Sequence, residues 1–291
     1  MRFAFNILFL LCTCLLAFPT HAQENLDLKG TACVPVRTTV EKDLSFQAGE
    51  RMDFILHYKW GAINTDVGSA TVLLDSLTFN GEKAFCCTVT GRTTKLFDRL
   101  FRVREDFKSW FTRDGLKPLK FTRDTYEGGY EARNTYMYMW DGADPYIAAD
   151  VYTTKMGGQS MQLPLTPCTY DLPALFFFAR NMDIENVEPG KRYPMTFAID
   201  DEVYNVYFIL YGPETIKVKG LGTVKTIKFA AKLLEGEVFK GEEDMLIWIS
   251  DDENRLPVYF EAPLLVGKAA GRMSGYDGLK YPFGSLIKKK K

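Results

Sequence analysis

The stretch YEARNTYMYMW, residues 130–140, sets Tyr130, Tyr136, Tyr138 and Trp140 on one side of an alternation and Glu131, Arg133 and Thr135 on the other. A period of two belongs to a β-strand, whose successive side chains point to opposite faces. Aromatic residues on one face suit a pleated surface that is buried on that side. The same alternation recurs along the chain. DFILHYKW (residues 53–60) opposes Phe54, Leu56, Tyr58 and Trp60 to Ile55, His57 and Lys59. EVYNVYFILY (202–211) lines up Tyr204, Val206, Phe208 and Leu210, and KTIKFAAKL (225–233) lines up Ile227, Phe229 and Leu233. Turn pairs separate such runs at short intervals: Asn80-Gly81, Asp114-Gly115, Gly128-Gly129, Gly157-Gly158, Asp200-Asp201 and Glu235-Gly236. Consecutive strands joined by hairpins form an antiparallel meander. A long meander twists and curls because each strand is rotated by about 20° against its neighbour. The expected fold is mainly β, a long antiparallel meander curled into a barrel or half-barrel.

One segment departs from this pattern. TYDLPALFFFARNM, residues 169–182, offers Thr169 or Asp171 as an N-cap and Pro173 in the first turn, where a missing amide costs little. The run Ala174 to Ala179 is apolar all round, which predicts one short buried helix near residues 170–182. Phe176, Phe177 and Phe178 would plug the curled sheet; packing on the outside would leave them partly wet. KLFDRLF (95–101) reads as a second, shorter helical turn.

At the N-terminus, Arg2 precedes an apolar run from Phe3 to Phe18, then Pro19 and the small residues Thr20 and Ala22. This is the pattern of a secretory signal cleaved after Ala22, and the run is short for a bilayer span. Residues 1–22 are thus expected to be removed, 23–43 to form a loose leader, 44–287 a single β domain and 288–291 a basic tail. The full chain has a net charge of −1. Losing Arg2 and setting aside the four terminal lysines leaves a body near −6, which argues against a nucleic-acid binder. No later run is long enough to cross a membrane as a helix.

Four cysteines remain after processing: Cys33, Cys86, Cys87 and Cys168. Adjacent Cys86 and Cys87 on a strand point to opposite faces, so at most one bridge is expected in an exported protein. Cys33 and Cys168 are its candidates, with buried free thiols as the alternative.

Catalytic chemistry has few footholds. His57 is the single histidine left once His21 departs, and neither GxSxG nor HExxH occurs. Gly220-Leu221-Gly222 lies between two strands without a following helix, so it is no phosphate loop. Asp106, Asp150, Asp171 and the 251–253 cluster could supply the paired acids of glycoside hydrolysis, but their spacing selects none. In LIWISDDENRLPVYFEAPLLVGKAAGRM (246–273), two apolar runs flank an acidic knot. Leu246 to Ser250 and Leu256 to Val266 read as strands, which makes Asp251-Asp252-Glu253-Asn254 the turn between them. Asp and Asn suit turns, Arg255 can hold a turn carboxylate, Pro257 belongs at a strand start, and Gly267 permits a close backbone approach. Trp248, Ser250, Asp251, Asp252, Asn254, Arg255, Pro257 and Gly267 are therefore read as a structural turn. Asp200-Asp201-Glu202 is likewise read as a solvated turn. No catalytic residue, metal or cofactor is assigned. Most of the aromatic side chains belong to the core; the remainder could hold an apolar or glycan ligand.

Several of these stretches together resemble a known family. FQAGERMDFILHYKWGAINTDVGSA, REDFKSWF, CTYDLPALFFFAR, EPGKRYPMTFAIDDEVYNV and WISDDENRLPVYFEAPLLVGK follow one another between about Phe46 and Arg272. They are similar to the exported domain-of-unknown-function family 3108 of Gram-negative bacteria. The most specific elements are W-x-S-D-D-x-N-R-x-P, F-x-x-G-E near the start and Y-D-L before the helix. The resemblance implies a periplasmic envelope protein with the YmcC-like half-barrel shape. It implies no activity and supplies no catalytic residues. The functional expectation is a non-catalytic protein that binds a lipid, lipoprotein or glycan, or assists envelope assembly. The alternatives are a carboxylate-dependent hydrolase of envelope glycans and a structural module that binds an envelope protein partner at an exposed sheet edge.

Overall fold

A computed structural model of the chain describes residues 34–231, 244–264 and 267–289. The expected signal segment, Cys33, the turn at Glu235-Gly236 and the last two lysines lie outside these residues. Eight strands come first: β1 Glu50–Trp60, β2 Ile63–Phe79, β3 Glu82–Thr93, β4 Val103–Thr112, β5 Pro118–Glu127, β6 Tyr130–Met139, β7 Tyr146–Thr153 and β8 Gly157–Pro164. A two-residue strand β9 (Thr169–Tyr170) leads into helix α1, Leu172–Ala179. Then follow β10 Arg192–Ile199, β11 Glu202–Val218, β12 Gly222–Ala231, β13 Met245–Ser250, β14 Pro257–Pro263, β15 Lys268–Asp277 and β16 Leu286–Lys289. KLFDRLF contributes a single 3-10 turn, Phe97–Arg99.

All these strands join one sheet, in the order β8-β7-β6-β5-β4-β3-β2-β1-β15-β14-β13-β12-β11-β10-β9, with β16 beside β12. Every pairing is antiparallel except the short β9–β10 pair. The hairpins carry the expected turn chemistry. Asn80 and Gly81, both at positive φ, join β2 to β3, and Gly128-Gly129 joins β5 to β6. The sheet is not closed by hydrogen bonds between its two ends. It curls around protein of its own: α1 packs against β3, β4 and β10, and the end of β8 comes close to β11. This is the half-barrel form of the expected fold.

The main core runs along the sheet from β4 through β1 to β15 and on to β10, and includes Phe46, Met52, Leu74, Phe85, Phe111, Phe177 and Val258. A second cluster fills the β4–β8 wing with Phe107, Phe121, Tyr136, Ile147 and Leu163, and Ala198 reaches it from the β10–β11 hairpin. Tyr136 and Tyr138 do share a buried face, as the alternation at 130–140 requires. The leader departs from expectation over its described part. Val34 is buried, Val36 forms an antiparallel bridge with Met182, and backbone bonds run from Arg37 to Asn181 and from Asp183 to Pro35. Two apolar side chains and a short ladder hold residues 34–37 against the segment after α1, so that part is docked rather than loose. At the other end, Lys288 and Lys289 belong to β16.

Candidate functional site

The inner face of β4, β5 and β6 carries an unusual density of buried charge. On β4 the buried residues are Val103, Glu105, Phe107, Ser109 and Phe111; on β5 they include Phe121, Arg123 and Thr125. On β6 they are Ala132, Asn134, Tyr136 and Tyr138. The register sets Glu105 opposite Thr125 and places Arg123 between Phe107 and Asn134. These groups converge on Asp200, the first residue of the β10–β11 turn. Arg123 donates from Nη1 to Asp200 Oδ1 at 2.8 Å, and Asn134 donates from Nδ2 to the same oxygen at 2.9 Å. The Tyr136 hydroxyl donates to the Asp200 carbonyl at 2.6 Å. Arg123 Nε donates to Thr125, whose hydroxyl donates to Glu105 Oε2 at 2.5 Å.

The Arg123 side chain has no exposure to solvent and that of Asp200 has 7%. Asp200 is therefore not the solvated turn acid of the sequence reading. Its backbone is left-handed at φ 49°, which an aspartate tolerates, and this aims the turn into the sheet. Burial, with the Glu127 carboxylate adding to it, pushes Glu105 far above the ordinary carboxylate range and favours its neutral form. Burial alone would lower Arg123; the Asp200 carboxylate, with Glu127 adding to it, outweighs burial and holds the guanidinium charged.

Two residues along the same strand, Tyr138 takes part in a second anchor. Asp171 is the N-cap of α1 and accepts from Ala174 N at 2.9 Å. It also accepts from the Ser109 hydroxyl at 2.9 Å and the Tyr138 hydroxyl at 3.3 Å. Burial raises its carboxyl to about 7 against the pull of these three donors. In the helix it caps, Phe177 and Phe178 are buried and Phe176 is half-buried. Phe177 meets Phe46 at 4.7 Å and Phe111 at 5.9 Å between ring centroids, on the inner face.

A third anchor lies at the other end of α1. Both terminal guanidinium nitrogens of Arg180 pair with the Glu50 carboxylate, Nη2 at 3.0 Å from Oε2. Nε and Nη2 also donate to the Asn254 carbonyl at 3.1 and 2.8 Å. The cation sits over the rings of Phe46 and Phe177. Glu50, Asp171 and Asn254 come from the three sequence elements F-x-x-G-E, Y-D-L and W-x-S-D-D-x-N-R-x-P. Two of those elements thus meet at Arg180, and the third caps the helix that Arg180 ends.

The residues of the 248–267 turn each have a place in the fold. Trp248 packs on Tyr259 and donates its indole N–H to Glu214 at 2.9 Å. Ser250 donates to Asp252 Oδ1 at 2.8 Å and accepts from Leu256 N at 2.7 Å. Asp252 also accepts from Asn254 N, and its other oxygen takes Ser285 N and Oγ. Asn254 is fully buried and grips Tyr281 and Pro282 through three backbone bonds. Asp251 stands 3.5 Å from Arg255, whose pKa is lowered by burial against that carboxylate, and Glu253 pairs with Arg37. Pro257 opens β14, and Gly267 at φ 81° lies where a Cβ would strike the Lys59 carbonyl.

Of the other acids named as candidates, Asp106 and Asp150 lie on the outer side, Asp106 paired with Arg92 and Asp150 accepting from Ser160. His57 is buried on the outer face beside Tyr259, and burial lowers its pKa to about 4, with Lys59 and Arg272 adding to it. Cys86 and Cys87 are buried thiols outside any disulfide, whereas Cys168 is disulfide-bonded.

The arrangement brings together a cation, a neutral carboxyl and a tyrosine, the ingredients of acid–base chemistry, but seals them. Each anchor fixes an inserted element to the sheet wall: the β10–β11 turn at Arg123, and the two ends of α1 at Asp171 and Arg180. The sequence names Asp106 only as one of several candidate acids without choosing among them, and Glu105, Arg123, Asn134, Arg180 and Glu50 are not among its candidates. A usable signal was present in REDFKSWF, where Glu105 shares the parity of Phe107 and Phe111.

Among solved structures, the chain is similar to a beta-barrel-like protein of domain of unknown function DUF1849 from Brucella abortus. The TM-score is 0.53 at 10% identity, covering 81% of this chain and 100% of that one. A putative lipoprotein from Parabacteroides distasonis also matches, at 9% identity over 85% of this chain and 100% of that one, with a TM-score of 0.26, too low to compare folds. No curated protein matches. The likeness to the DUF1849 protein is one of fold, a curled and barrel-like sheet. Over residues 53–274 the sequence matches the model of the protein of unknown function DUF3108, and the chain belongs to that family.

Proposed function

We propose that this is a non-catalytic protein of the periplasmic envelope, which binds a lipid, lipoprotein or glycan on its outer surface or assists envelope assembly. The observation that supports this most is how the inner face uses its ionisable groups. Arg123, Asp200, Asp171, Arg180 and Glu50 are each buried and committed to holding α1 or the β10–β11 turn. The disulfide at Cys168 agrees with an oxidising compartment. The test is native mass spectrometry of protein purified from its own periplasm. A co-purifying lipid, glycan or lipoprotein is expected; recovery from the cytoplasm would overturn the reading.

A carboxylate-dependent hydrolase of envelope glycans is the second reading, favoured by the neutral Glu105 beside Glu127. Such pairs perform general acid catalysis when a substrate reaches them. Glu105 has no exposure, so this reading requires the β10–β11 turn to lift away. Glycan hydrolysis that disappears in Glu105→Gln, with folding intact, would establish it in place of the first.

A further inference from the structure

We propose that the end of the sheet formed by the β11–β12 hairpin and β16 is a docking surface for an anionic lipid bilayer. This deepens the envelope reading by naming the component met. Lys217, Thr223 and Lys288 stand in one row across β11, β12 and β16. Lys225 is exposed on β12 two residues beyond Thr223, and so on the same face. Lys219 is exposed in the hairpin turn, and Lys289 lies opposite Gly222. Five lysines among the described residues are thus brought by the backbone to one end of a protein whose body is otherwise acidic.

The carboxylates around this end are already engaged. Asp66 is held in two bonds of 2.8 Å by Arg272, which with a smaller contribution from Lys219 keeps its pKa low. Glu214 accepts from Trp248 and faces Lys228, and Asp251 faces Arg255. Asp252 is satisfied by Ser250 and Ser285. Lys217, Lys219 and Lys225 have no ion-pair partner within 4 Å among the described residues. Unneutralised lysines on one surface attract anionic headgroups within about a Debye length. Beside Lys288, Ile287 is 56% exposed, which gives the basic surface an apolar element to place at the headgroup boundary.

The experiment is sedimentation of the full chain with phosphatidylcholine vesicles and with vesicles containing about one-third phosphatidylglycerol. Parent protein should bind the anionic vesicles more tightly, and binding should fall as salt rises. A lysine near an anionic surface contributes about 1 kcal/mol, or roughly fivefold. The triple variant K217Q/K219Q/K225Q, with the terminal lysines intact, should therefore bind on the order of 100-fold more weakly. The apolar run at residues 3–18 is common to both chains and cancels in the ratio. K83Q/K108Q, on strands elsewhere in the sheet, should bind like the parent, and all variants should melt like it. Equal binding of parent and triple variant, equal binding to both vesicle types, or tight capture of soluble heparin without vesicle binding would each overturn the proposal. Those results would leave the periplasmic assignment standing, since fractionation of the cells tests that separately.

Discussion

Replacing Arg123 by methionine asks whether the β10–β11 turn is held to the sheet by charge. Methionine keeps much of the aliphatic stem and removes the guanidinium. Asp200 would then retain one side-chain donor, Asn134 Nδ2 at 2.9 Å, and its carboxylate, 7% exposed, could not rehydrate unless the turn lifted. Breaking one side of a buried ion pair typically costs about 3 to 5 kcal/mol. Loss of the cation beside Glu105 adds little, because that carboxyl already favours its neutral form. The expected destabilisation is about 4 kcal/mol. The double variant R123M/D200N should recover much of it. Asparagine tolerates the left-handed φ of 49°, still accepts from Asn134 and leaves no buried charge. Replacing a whole buried pair is often close to neutral, so a coupling of about 2 to 3 kcal/mol is expected. Urea unfolding of the parent, both single variants and the double variant measures it. A loss under about 1 kcal/mol in Arg123→Met, or a double variant no more stable than that single one, would refute the reasoning, since both follow from the turn being held by charge.

The Asp171 carboxyl, at about 7 in the folded chain against an ordinary 3.8, keeps a proton that the unfolded chain has lost between those values. Its contribution to stability is therefore complete below about pH 4, declines as the pH rises to about 7 and is flat above. Asp171→Asn should remove that slope; parallel pH–stability curves for parent and variant would show that Asp171 does not titrate there. Phe177→Ala should cost about 3 to 5 kcal/mol and Phe176→Ala clearly less, because only Phe177 is fully buried between Phe46 and Phe111. Equal melting temperatures would contradict the plug. In the 251–255 turn, Asn254→Ala should destabilise by about 2 to 3 kcal/mol and Arg255→Ala by about 1, since Asn254 carries three backbone bonds in a buried site. The reverse order in thermal unfolding would make Arg255 the principal clamp. Peptide mapping without reductant should find Cys168 joined to Cys33 and an N-terminus at Gln23; a retained Met1 or a different partner for Cys168 would overturn the expected processing.

What could be read from the sequence was whatever repeats over a short distance. The alternation at 130–140 is a local property of one strand, and Asn80-Gly81 needs only its own two backbone angles to turn a hairpin. Asp171 likewise caps an amide three residues away. The anchors are of another kind. Arg123 and Asp200 are 77 residues apart, and Arg180 is 130 residues from Glu50. No local rule pairs them, because each residue alone satisfies the pattern of a polar position in a strand, a turn or a helix end. Parity offers the missing half-signal. Arg123 alternates with Phe121 and Thr125 on the buried side of β5, as Glu105 does with Phe107 on β4. A charge at core parity must find an opposite charge or a hydrogen-bonding partner inside, since leaving it unpaired in low dielectric is too costly. Parity therefore states that a partner exists without saying where. Glu105 finds its partner in the Thr125 hydroxyl on the next strand, whereas the charge of Arg123 is met by Asp200, from an element laid across the inner face. The β10–β11 turn and the two ends of α1 are such elements, and all three bring an acid or arginine to the sheet. The buried charges of this protein are thus the means by which a sheet with two free ends stays curled around its contents.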